Sequence, residues 1–118
     1  MATTINRELM DHCIAECSEC VHLCARCADA CLAGDQVQAM ARCIRLCLDC
    51  AELCGACVEL LGRNSQFAPD LCAVVASVCD ACADECEKYP GDLMRRCAEV
   101  CRRCANTCRQ IGQLRAAA

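Results

Sequence analysis

Cysteines recur along this chain in alternating steps of four and three residues, the rhythm of one face of an α-helix. They stand at Cys13, Cys17, Cys20, Cys24, Cys27 and Cys31, then at Cys43, Cys47, Cys50, Cys54 and Cys57. A third group holds Cys72, Cys79, Cys82 and Cys86, and a fourth Cys97, Cys101, Cys104 and Cys108. With Cys17 at heptad position a and Cys20 at d, all 19 cysteines fall at a or d of their own group. Those are the positions where a helical bundle ordinarily buries Leu and Ile. The register predicts an all-α, antiparallel, up-down-up-down four-helix bundle whose core is lined by thiols.

Turn residues separate the four groups. Gly34-Asp35, Gly62-Arg63-Asn64-Ser65 and Pro90-Gly91-Asp92 punctuate the chain, and Pro69 suits the first turn of a third helix. The expected helices span residues 5–33, 36–61, 67–88 and 93–113 of a single domain covering 1–118. Asp35 with Gln38 forms a capping box for the second helix, and Asp92 is the expected cap of the fourth. Inside the third helix Val75 takes a d slot between Cys72 and Cys79. Met10, Met40 and Met94 each occupy the a slot before the first cysteine of their helix. The second helix also carries apolar residues at e and g, among them Ile44, Val58, Leu46, Leu53 and Leu60, wider than a thiol seam needs. This breadth either seals the interhelical grooves or buries against another subunit, and it favours a homo-oligomer.

Disulfides do not fit the pattern. The count is odd, and i, i+4 neighbours have β-carbons ~5–6 Å apart against the ~3.5–4.5 Å a disulfide requires. Simple packing fits no better, because Ala, Val or Leu would fill a core without the liability to oxidation. Phe67 and Tyr89 are the sole aromatics, and the formal net charge is −4. That balance, with no aromatic-interleaved basic surface, speaks against a nucleic-acid partner. Nothing in the chain approaches the ~18 apolar residues of a membrane span, and Met1–Met10 has no export pattern. A cytoplasmic protein is expected.

Clustered thiolates select Cu(I), zinc or iron–sulfur clusters. Bacterial-type iron–sulfur sites need consecutive Cys-x-x-Cys steps and a Cys-Pro, both absent here. Four thiolates around Zn(II) leave a net charge of −2, and several such sites would bury many uncompensated charges. Cu(I), at about one ion per thiolate, leaves the core near neutral. A zinc or multi-metal detoxifying binder of metallothionein type stands as the alternative. A thiol oxidoreductase is disfavoured, since it needs an exposed, acidic cysteine, and no nucleophile, base and orienting group converge. The antiparallel register puts Met40 and Met94 at one end with Cys31, Cys43, Cys86 and Cys97. Met10, Cys13, Cys57, Cys72 and Cys108 share the other end, plugged by Leu61 and Ile111. Soft thioethers mark the Met40/Met94 end as the port for many Cu(I) ions. His12 and His22 fall at outward positions c and f; His12 could serve as an auxiliary ligand.

Segments such as Cys24-Ala-Arg-Cys27-Ala-Asp-Ala-Cys31, Asp80-Ala-Cys82-Ala-Asp-Glu-Cys86 and Arg96-Cys97-Ala-Glu-Val-Cys101-Arg-Arg-Cys104-Ala-Asn-Thr-Cys108 resemble the cytosolic copper storage proteins. The likeness covers nearly the whole chain. It implies Cu(I) bound along a cysteine-lined bundle and assembly into a homotetramer; the lack of a catalytic set, read from the residues, predicts no enzymatic activity. In that family histidines often precede the first cysteine of the fourth helix. Here Glu87-Lys-Tyr-Pro-Gly-Asp-Leu-Met-Arg-Arg-Cys97 contains none, so Met94 becomes the natural substitute.

Overall fold

The computed structural model describes residues 6–117, with side chains through Leu114. The elements among them are four helices: α1 (Arg7–Ala33), α2 (Ala41–Gly62), α3 (Ala68–Cys86) and α4 (Asp92–Ala117). Helix α1 packs on α2 and α4, and α3 packs on the same two, so the helices form a square bundle with diagonal pairs facing across the core. The body measures 54 × 20 × 19 Å, a rod one bundle wide. No described helix is long and apolar enough to cross a membrane.

Each helix end has a local cause. Asn6 Oδ1 accepts from the backbone N–H groups of Glu8 (2.7 Å) and Leu9 (3.3 Å), capping α1 and contributing about 1 kcal/mol. Helix α2 ends in a Schellman motif. Ser65 N–H returns to the Leu60 carbonyl (2.9 Å) and Asn64 N–H to that of Leu61 (3.1 Å). Asn64 adopts φ 53°, a left-handed conformation that Asn tolerates better than most residues. Pro69 lies in the first turn of α3, where its missing N–H costs nothing. Gly91, at φ 116°, makes the reversal into α4 that a side chain would strain.

Two expected caps are corrected. Helix α2 begins at Ala41 rather than 36, and Asp35 with Gln38 forms no capping box. Residues Gln36–Ala41 instead make tight turns, with Met40 N–H bonded to the carbonyls of Gln36 (3.0 Å) and Val37 (3.2 Å). Residues 34–39 are all exposed, so a helix there would have no apolar stripe to bury. Asp92 is the first residue of α4, its carboxylate paired with Arg95; the Gly91 carbonyl accepts the first helical bond, from Arg95 N–H.

Arginines of α4 choose their neighbours. Arg102 pairs with Asp80, Asp84 and Glu87 of the α3 side, Arg109 with Asp80, and Arg103 with Glu16 and Glu19 of α1. Each exposed pair is worth under about 1 kcal/mol, so their effect is on which helix faces meet. Arg95 pairs within its own helix, with Asp92 and Glu99.

Candidate metal centre

All 19 cysteines are free and buried. Only Cys31 keeps measurable exposure, 6%. Their sulfurs form a column along the bundle axis, with neighbours at 3.4–4.0 Å both within and between helices. Cys13 meets Cys108 at 3.5 Å and Cys17 meets Cys104 at 3.5 Å. Cys50 meets both Cys20 and Cys79 at 3.5 Å, Cys24 meets Cys97 at 3.6 Å, Cys47 meets Cys82 at 3.7 Å and Cys57 meets Cys72 at 3.4 Å. Four sulfurs bound to one ion at ~2.3 Å stand ~3.8 Å apart. The column's spacing is therefore already close to that of sulfurs sharing an ion.

Several groups of four sulfurs lie within 4.8 Å of one another. Cys13, Cys57, Cys72 and Cys108 take one member from each helix, as do Cys24, Cys47, Cys82 and Cys97. Neighbouring groups share members: Cys47 and Cys97 recur with Cys27 and Cys86. Shared sulfurs favour a continuous array of bridged ions over separate closed sites.

Without metal, protons keep the column neutral. Burial pushes the Cys31 thiol up. Deeper in, neighbouring sulfurs are close enough to share S–H hydrogen bonds in which either can donate. Cys108 is pushed up, first by Cys104 and then by Cys13. A monovalent ion that displaces one proton per thiol preserves this balance, whereas a divalent ion held by four thiolates leaves a net charge of −2.

The two ends differ. At one, a cleft of about 360 Å³ is bordered by Cys31, Met40, Pro90, Gly91, Leu93 and Met94. Met40 and Met94 are half-buried, and Met94 Sδ accepts from Cys27 Sγ at 3.4 Å. At the other, Leu61 and Ile111 are fully buried and Met10 is 2% exposed. Val75 is fully buried in its d slot and interrupts the sulfur series on α3. His12 points outward, with Nε2 3.4 Å from Glu16 and a side chain 61% exposed, and His22 is exposed. His12 is thus not brought to the thiols.

One buried charged group belongs to no motif of the sequence. Glu85 is 4% exposed. Its Oε1 accepts from Arg42 Nε (3.3 Å) and Lys88 Nζ (3.0 Å), and its Oε2 from Tyr89 Oη (3.2 Å). Extending the α3 register past Cys86 places Tyr89 in the next d slot, a signal that was available.

Replacing Val75 should complete the series. Val75→Cys is expected to add about one Cu(I) to the saturation stoichiometry and to cost the metal-free protein about 0.5–1.5 kcal/mol, as for other small losses of core volume. Anaerobic titration beside chemical denaturation reads both.

The family model described as copper storage protein matches residues 6–113. Among solved structures, the Cu(I)-bound copper storage protein BsCsp3 is 34% identical, with a TM-score of 0.84 over 88% of this chain and 98% of its own. A cytosolic copper storage protein from Streptomyces lividans, described with five coppers, is 37% identical, with a TM-score of 0.86 over 91% of this chain and 94% of its own. The S. lividans copper storage protein loaded with 10 copper equivalents is 36% identical, with a TM-score of 0.87 over 92% and 87% respectively. Comparison with curated proteins by sequence gave no match.

Proposed function

The chain belongs to the copper storage protein family, and on that footing we propose that its 19 thiols take up Cu(I) as cargo through the Met40/Met94 end. Storage is the role, and the protein holds many Cu(I) ions. The observation that carries this is the column itself: 19 free, buried cysteines along the bundle axis, most of whose sulfurs lie 3.4–4.0 Å from a neighbouring sulfur. Each ion entering as Cu(I) replaces a thiol proton and makes bonds to two or more sulfurs. Charge stays balanced throughout filling, so capacity is limited by sulfur count rather than by accumulated charge.

Anaerobic titration with Cu(I) and, separately, Zn(II) tests this. Cu(I) should load near one ion per thiol, with release of about one proton per thiol and weaker binding at lower pH. Saturation near one metal per four thiols, with zinc preferred, would establish the metallothionein-like alternative instead.

The port rests on the cleft and on the sealing of the opposite end. Met94→Leu keeps the volume and removes the thioether that Cys27 meets. Loading from a Cu(I) donor at limiting concentration should slow several-fold while capacity is unchanged, as followed by stopped-flow. An unchanged rate would remove Met94 from the route.

Self-association through the outer face of α2 belongs to the same proposal. Leu46, Leu53 and Leu60 remain only partly buried, and Leu48 is 50% exposed. A homotetramer is the expected assembly, checked by sedimentation at several concentrations. The cytosol is the proposed compartment, since reduced thiols persist there.

A further inference from the structure

The cleft has two lips. One is the connection that ends in Met40; the other is the stretch after α3 that leads through Pro90 and Gly91 into Met94. Tyr89 ties them. Its hydroxyl lies 3.3 Å from the Ala39 carbonyl, one residue before Met40, and 3.2 Å from Glu85 Oε2. A phenol carries one proton, so at any moment it donates to one of these acceptors and not to both. Glu85 in turn holds Arg42, in the first turn of α2, and Lys88.

Beyond its own backbone turns and the packing of Met40 on the core, side-chain ties to the first lip are few. Residues 34–39 are exposed, and α2 begins without a side-chain cap. The Glu85 carboxylate sits near the C-terminus of α3, where the helix dipole disfavours negative charge. Its neighbours Arg42, Lys88 and Tyr89 offset that cost and make the tie local to this end.

We propose that Tyr89 is a positioning residue for copper transfer: its hydroxyl, shared between Ala39 and Glu85, holds the two methionine-bearing lips together and sets the rate at which Cu(I) crosses them. The proposal rests on the Met40/Met94 end being the port. Swinging the phenol from Ala39 to Glu85 frees the Met40 lip without breaking the ion pairs. Because the tie lies outside the thiol column, it stabilises the filled and empty states equally against the opened transition state. Uptake and removal must then change by the same factor.

Tyr89→Phe keeps the ring and deletes the hydroxyl. Anaerobic stopped-flow loading from a glutathione–Cu(I) donor and removal by a strong Cu(I) chelator should both accelerate by about three- to tenfold, the scale of one hydrogen bond. Capacity and affinity should match the parent protein. Glu16→Gln, which disturbs a buried carboxylate paired with Arg103 away from the cleft, should leave both rates unchanged. Unchanged or slowed exchange in Tyr89→Phe, or a loss of capacity, would overturn the proposal. So would equal acceleration in Glu16→Gln, which indicates general loosening. Met94→Leu separates the two readings. If it slows loading while Tyr89→Phe has no effect, the tie alone fails; if neither has an effect, the port has failed with it.

Discussion

Saturating the metal-free protein with Cu(I) under anaerobic conditions is expected to raise its thermal unfolding midpoint by roughly 20 °C or more. The reason lies in what fills the core. Leu61, Ile111, Val75 and Val100 are the largest fully buried side chains, and nearly everything else at the axis is a thiol. A buried Leu contributes about 1.5–3 kcal/mol, whereas a thiol brings little apolar area and only a weak S–H bond. The metal-free bundle is thus held by few strong contacts. Each site filled at a thousandfold excess over its dissociation constant adds about 4 kcal/mol, and the ions link all four helices because the sulfur groups do. Calorimetry with and without a competing chelator measures the shift. Acid should reverse it, since protons compete for the same sulfurs. A shift of only a few degrees at full loading would mean the metal sits outside the core.

Leu61→Ala should produce the largest loss from a single substitution in the metal-free state, about 2–5 kcal/mol. Leu61 is fully buried at the closed end beside Ile111, and the thiols around it cannot collapse into the space a Leu leaves. Against a total of about 5–15 kcal/mol for a domain, that loss is severe. Chemical denaturation of metal-free protein measures it. The variant has a second consequence, because it unseals the end opposite the cleft. Copper removal from the loaded variant should become faster and should cease to depend on Met94. A loss below about 1 kcal/mol, with removal unchanged, would show that the plug is not Leu61.

Much of this was legible in the chain because one periodicity runs through it. Once Cys17 and Cys20 are set at a and d, the same count places Val75, Leu61, Ile111, Met40 and Met94, and the structure puts each where that count requires. Connections obeyed other rules. Asp35 and Gln38 match a capping box on paper, yet nothing apolar in residues 34–39 can reach the core, so the helix waits for Met40. Asn64 reads as an ordinary turn residue until its left-handed backbone is seen. The tie at Glu85 and Tyr89 depends on Ala39 and Arg42, which are more than 40 residues away in the chain. The register turns Tyr89 inward, but only the fold brings Ala39 and Arg42 to it and to Glu85.

The sealed end beneath Leu61 and Ile111 makes the column a stack rather than a bag. On the proposed route through the Met40/Met94 end, ions advance from sulfur to sulfur and leave only by retracing the row. Copper taken up last, beside Cys31 and Cys27, is the first to be returned. Copper that has reached Cys57 and Cys72 lies behind all the rest. One chain can therefore hold a quick-turnover pool and a long-term deposit of the same metal, distinguished by depth alone.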